Sequence, residues 1–225
     1  VYMDVIIHQQ QGYNEPITIT AENLPPGLHV APTVINNNSR GTLVITADDN
    51  AADFAGAIKL VATGKLGEET LRREVRPYSR VWNNAGMNSS RPSRELVVAI
   101  RDGAPYRLEW SVEQIEVEAG KEATLTLRLN RRWSDFKADV TVQPLTFPGN
   151  FKMSNTSFKG DQTELTIPIT VQNNTRPGDY TLTVQGQGQV PFNKDPEAKD
   201  RPNTLVSLPS SSVALRVIEP RTVEP

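Results

Sequence analysis

Residues 42–64 read TLVITADDNAADFAGAIKLVATG, and residues 164–186 read ELTIPITVQNNTRPGDYTLTVQG. The two stretches align without a gap at an offset of 122 residues. Leu43 meets Leu165, Ile45 meets Ile167, Gly56 meets Gly178, Ile58 meets Tyr180, Leu60 meets Leu182 and Gly64 meets Gly186. In both, apolar residues alternate with polar or β-branched ones, the period of a half-buried strand. A glycine then opens a second alternating run. Matching apolar phase with glycines in the same order marks an internal repeat.

The repeat extends upstream with one residue of slippage. Ile17-Thr18-Ile19 meets Val140-Thr141-Val142, Leu24-Pro25 meets Phe147-Pro148, and Tyr13 meets Phe136. Further alternating runs occur at Ile115-Glu116-Val117-Glu118 and Leu125-Thr126-Leu127-Arg128-Leu129. Turn residues separate the runs: Pro25-Pro26-Gly27, Asn36-Asn37-Asn38, Ala119-Gly120-Lys121, Pro148-Gly149-Asn150 and Arg176-Pro177-Gly178-Asp179. Only the stretch around residues 50–56 is compatible with a helix, and it reads equally well as a turn. Many short strands joined by turns predict an all-β chain of two tandem Ig-like antiparallel β-sandwich domains, residues 1–102 and 103–225. Val1 aligns near Ala123 or Thr124, so the first copy lacks a counterpart to the strand at Trp110 and beyond. We expect the first sandwich to be without its opening strand, through truncation or processing, or because another segment supplies it.

Composition narrows function. The chain has 225 residues, 24 basic and 26 acidic, which disfavours nucleic acid bound through net charge. No apolar run approaches the roughly 20 residues that span a bilayer. The absence of cysteine excludes disulfides, a thiolate nucleophile and cysteine–zinc sites. No leader is evident and Val1 begins in a strand-like segment, so we read the chain as a piece of something longer.

A resemblance follows from the quoted residues. The run ITITAENLPPGLHV at residues 17–30, then GTLVITADDNA at 41–51 and GAIKLVATG at 56–64, resembles bacterial extracellular Ig-like modules of the alpha-galactosidase/NPCBM-associated kind. It is also similar to the "LPPG" Ig-like repeats of large secreted proteins with pre-peptidase C-terminal (PPC) domains. The second copy has Phe147-Pro148-Gly149 where the first has Leu-Pro-Pro-Gly. The resemblance implies an Ig-like fold, a secreted, periplasmic or cell-surface location, and a supporting or adhesive role beside other domains or a protein partner. It transfers no catalytic residue.

His8 and His29 have no partner at a motif spacing and read as strand surface or packing residues. Asp48, Asp49, Asn50 and Asp53 place four oxygen donors in six residues, which could help hold Ca²⁺. The second copy has Thr170, Val171, Gln172 and Thr175 there, so a solvated turn is the favoured reading and no cofactor is required. Residues 72–94 hold Arg72, Arg73, Arg76, Arg80, Arg91 and Arg94 with Tyr78 and Trp82, against Glu74 alone among acids. Basic side chains interleaved with aromatics suit an anionic polymer or a sugar. We place this segment in a long connection between the last two strands of the first copy, and read Arg76, Tyr78, Arg80, Trp82, Arg91 and Arg94 as the candidate polysaccharide-binding set. Trp110 and Trp133 read as packing residues. Tyr180 reads as a corner tyrosine bonded to nearby backbone. No nucleophile–base constellation is present, so no enzymatic activity is expected. The favoured reading is a non-catalytic spacer, scaffold or protein-interaction segment, with an accessory polysaccharide-binding module as the alternative.

Overall fold

The computed structural model describes residues 1–10, 12–36, 38–81, 89–101, 103–193 and 197–220. These residues are all-β, with no helix among them. The stretch around residues 50–56 is a turn leading into a strand.

The first hundred residues contribute β1 (Tyr2–Ile6), β2 (Ile17–Glu22), β3 (Leu28–Val30), β4 (Thr33–Ile35), β5 (Arg40–Ala47), β6 (Phe54–Leu66), β7 (Glu69–Glu74), β8 (Tyr78–Val81), β9 (Ser89–Pro92) and β10 (Leu96–Ile100). One sheet runs β1-β5-β3 and another β10-β6-β2-β4, with β7 folded back on β6. Strands β8 and β9 pair as a separate hairpin. Thus residues 72–94 are not one open connection: β7 continues the sheet through a Val61↔Glu74 register, and the hairpin follows it.

The second half contributes β11 (Tyr106–Trp110), β12 (Gln114–Glu118), β13 (Glu122–Arg131), β14 (Val140–Leu145), β15 (Phe151–Lys152), β16 (Thr156–Phe158), β17 (Glu164–Val171), β18 (Gly178–Pro191), β19 (Asn203–Pro209) and β20 (Val213–Ile218). Its sheets run β11-β13-β17-β15 and β12-β20-β18-β14-β16, with β19 on β18. Once β11 and β12 are removed, the two strand orders coincide: β13, β17 and β15 correspond to β1, β5 and β3, and β20, β18, β14 and β16 correspond to β10, β6, β2 and β4. The aligned glycines lie at matching points, Gly56 in β6 and Gly178 opening β18.

Each half has its own core between its sheets. Ile19, Leu43, Ile45, Ile58 and Leu60 fill the first. Leu125, Leu127, Phe136, Val140, Ile167 and Leu182 fill the second. Trp110 is buried in the second core and Trp133 packs against its edge, stacking on Phe192. The turn residues act as their chemistry predicts. Gly27 after Pro25-Pro26 has φ +78°, in the left-handed region. A Cβ there would also press on Ala51. The hydroxyl of Tyr180 donates to the carbonyl of Arg176 at 2.6 Å, which ties the corner before β18 to the strand itself.

Strand β5 departs from the sequence expectation. Its pattern predicts one buried face, yet residues 41–45 are all buried. The corresponding β17 keeps strict alternation, with Thr166, Pro168 and Thr170 exposed. The outer face of β5 is covered by the second half. Thr42 Oγ1 donates to the carbonyl of Leu145 at 3.4 Å, the amide of Val34 donates to Thr181 Oγ1 at 2.8 Å, and Gln185 Nε2 reaches the hydroxyl of Tyr2 at 3.1 Å.

Strand β11 closes the second core. Tyr106 is 1% exposed and stacks on Phe136 with ring centroids 5.2 Å apart. Its hydroxyl lies 2.9 Å from the carbonyl oxygens of Gly186 and Val206. Burial raises the Tyr106 phenol above the ordinary tyrosine value of 10.0. Folded protein therefore keeps a proton that the unfolded chain releases in alkali. Stability is full below that value and falls as pH rises above it. Tyr106→Phe should cost about 1 kcal/mol at neutral pH, from the lost hydrogen bond, and flatten the alkaline loss. Urea unfolding across pH 7–11 checks both.

Candidate functional site

The acidic turn after β5 is built by backbone bonds. The amide of Asp48 donates to the carbonyl of Gly27 at 2.8 Å, and that of Ala51 to the carbonyl of Asp48 at 3.1 Å. This sends the side chains of Asp48 and Asp49 to different partners. Asp48 Oδ1 lies 3.0 Å from His29 Nε2, a pairing on neighbouring strands that sequence spacing did not signal. Asp49 Oδ1 lies 2.6 Å from a guanidinium nitrogen of Arg132 and 3.6 Å from Arg107. Arg107 also donates to the carbonyl of Ala47 at 3.0 Å. Asp49 is thus an inter-half anchor, and no group of three His, Cys, Asp or Glu suited to a metal ion occurs among the described residues. Of the three carboxylates at Asp48, Asp49 and Asp53, two face imidazole or cationic partners rather than one another.

The arginine-rich segment is divided by its strands. Arg72 is held by Glu22, one guanidinium nitrogen lying 2.6 and 2.7 Å from the two carboxylate oxygens. Its hydrogen bond holds the Glu22 carboxyl below the ordinary glutamate value. Arg76, Tyr78, Arg91 and Arg94 are exposed. Tyr78 pairs with Pro92 and Ser79 with Arg91, so strand alternation sends Tyr78 and Arg91 to opposite faces of the hairpin. Arg80 sits in β8, and Trp82 lies outside the described residues. The candidate set is not brought onto one face.

Arg76 and Tyr78 instead border a groove of about 760 Å³ along β1. Its floor is apolar, with Val5, Ile19, Leu43, Leu60 and Leu96, and its rim carries Arg40, Arg73, Arg76, Asp4 and Glu74. The groove follows the seam between the two sheets of the first half. Among the described residues no strand closes that seam, and the sequence did not signal that the segment after β7 would form its second wall.

In comparisons with known proteins, no family model matches the chain and no curated protein matches it. No helix among the described residues is long and apolar enough to cross a membrane.

The carboxylate geometry has a direct consequence. Millimolar Ca²⁺ should leave the thermal midpoint unchanged, whereas Asp49→Ala should lower it slightly, since a partly exposed ion pair contributes about 0.2–1 kcal/mol. Differential scanning calorimetry with and without Ca²⁺ measures both effects.

Proposed function

We propose that the chain is a tandem of two Ig-like β-sandwich domains serving as a non-catalytic scaffold and interaction segment of a larger secreted or cell-surface bacterial protein. The observation that carries this reading is the fastening of one half to the other. The outer face of β5 is buried under the second half, and its rim is held at separate points. Arg132 and Arg107 grip Asp49 and Ala47 at one end. Arg176 donates to the carbonyl of Asn14 at 2.7 Å and faces Glu15 at another. Bonds spread across an interface resist hinge motion better than a single contact does, and a fixed angle between modules is what a spacer needs. Such modules act beside other domains or a protein partner, and the reading calls for no nucleic acid, no membrane insertion and no cofactor.

A second reading, an accessory polysaccharide-binding module, draws support from the exposed Tyr78, which is 39% accessible, beside exposed Arg76, Arg91 and Arg94. An accessible ring can stack on a sugar, with Arg76 two residues along the same segment to meet an anionic group.

Small-angle scattering tests the first reading. A single fixed arrangement of the two halves should account for the wild-type profile, and Arg176→Ala combined with Asp49→Ala should broaden the distance distribution. A wild-type profile that requires an ensemble of inter-half angles would contradict it. Retention on anionic polysaccharides, lost in Trp82→Ala, would support the second reading; retention on none would remove it.

A further inference from the structure

The seam that β11 and β12 close in the second half stands open in the first. Strand β13 uses alternate residues for each neighbour. The amide of Leu129 donates toward β17, to Thr163. On the other edge, the carbonyl of Thr126 accepts from Ser111 beside β11, and the amide of Arg132 donates to Pro105. Strand β1 repeats this arrangement. Val1 and Ile45 exchange both backbone bonds, and the amide of Ile7 donates to Ser39. The odd residues are therefore used toward β5, and strand geometry turns the amides and carbonyls of Tyr2, Asp4 and Ile6 to the opposite edge. Among the described residues no strand pairs with that edge.

Side chains along the seam report the same vacancy. Through their pairing with Ile58 and Tyr180, Leu96 of β10 corresponds to Leu215 of β20, and Val98 to Val217. Leu215 is 0% and Val217 1% exposed with β12 paired alongside, whereas Leu96 and Val98 are only half-buried. Likewise Leu127, which faces Trp110 across the β11–β13 pair, is fully buried, and its counterpart Met3 is half-buried. At the far end, Leu108 packs so closely on Gly186 that a Cβ there would collide with it; at Gly64 the Tyr13 hydroxyl takes the corresponding position. The floor of the groove is formed by apolar side chains of both sheets.

The second half also shows what fills such a seam. Residues 106–118, YRLEWSVEQIEVE, place Tyr106, Leu108 and Trp110 inward along β11 and then pass to β20 as β12. This segment carries four glutamates and one arginine. The open groove bears Arg40, Arg73 and Arg76 against Asp4 and Glu74, a basic excess that suits an acidic strand.

We propose that the β1–β10 groove is a docking site for an acidic β-strand segment with alternating large apolar residues, contributed by polypeptide other than residues 1–225 and paired antiparallel to β1. The strand satisfies the Tyr2, Asp4 and Ile6 backbone groups, and its apolar side chains complete the first core, the β-augmentation mode of recognition. This deepens the reading of the chain as an interaction segment and rests on it. The two fail separately, because scattering reports the inter-half angle and peptide binding reports the groove.

The probe is a fluorescein-labelled 13-residue peptide with the sequence of residues 106–118, titrated against the full chain by anisotropy. Saturable one-to-one binding is expected, at least about tenfold tighter than a scrambled peptide of the same composition. Arg76→Glu, a surface change that leaves the core intact, should weaken binding several-fold and reduce its salt dependence. Ala62→Phe, which fills the groove, should abolish it. Absence of saturable binding, equal binding of the scrambled peptide, or indifference to both variants would overturn the proposal. So would a concentration-dependent dimer, seen by light scattering, that the peptide dissociates, since a second copy would then be what covers the groove.

Discussion

A core held between two sheets must be closed along its open edges, and that requirement organises this molecule. In the second half a single segment meets it twice. Strand β11 pairs with β13 in one sheet and β12 runs parallel to β20 in the other, so residues 106–118 lace the seam shut. Tyr106, Leu108 and Trp110 enter the core as they do so. The stacked pair of Tyr106 and Phe136, the close approach of Leu108 to Gly186 and the complete burial of Leu215 all depend on this lacing. The first half has the same strand order without the lace. Its sheets still enclose a core, but the residues lining the seam remain half-covered and the outer edge of β1 is unpaired among the described residues.

The first half compensates on another face. Its β1-β5-β3 sheet lies against the second half, which buries Val44 and Thr42 where the corresponding residues of β17 meet solvent. This docking joins a less complete core to a fully closed one. It also pairs surface charges between the halves: Asp49 is matched to Arg132, and Arg176 to Glu15. The inter-half contact therefore bears on stability, on the angle between halves and on which surface chemistry is left free.

Much of the architecture was legible in the sequence. Period-two alternation located the long strands, the 122-residue offset matched β5 with β17 and β6 with β18, and Gly27 and Tyr180 perform the roles their local chemistry suggests. Alignment of the two copies also raised the expectation that the first has no counterpart to the strand at Trp110, and among its described residues none pairs with the outer edge of β1. Features that depend on distant partners were not. Nothing local to Thr42-Leu43-Val44-Ile45 says that both faces are buried, since the covering residues Leu145, Thr181 and Gln185 belong to the other half. The pairing of His29 with Asp48 arises from β3 lying beside β5, and the split of Tyr78 from Arg91 arises from the β8–β9 register. The arginine-rich segment alternates weakly and is polar, so nothing local to it marks its strands. Its strands are held by pairing to neighbours rather than by a buried face of their own.

Both halves share one strand order, and among the described residues no strand of the first closes its seam. Amide hydrogen exchange resolved to single residues tests this directly. The account predicts fast exchange at Tyr2, Asp4 and Ile6, slow exchange at Met3 and Val5 on the same strand, and slow exchange at Arg128 and Asn130, whose counterparts in the first half are Asp4 and Ile6. Equal protection of odd and even amides along β1 would mean that another element already pairs with that edge, and would contradict the account.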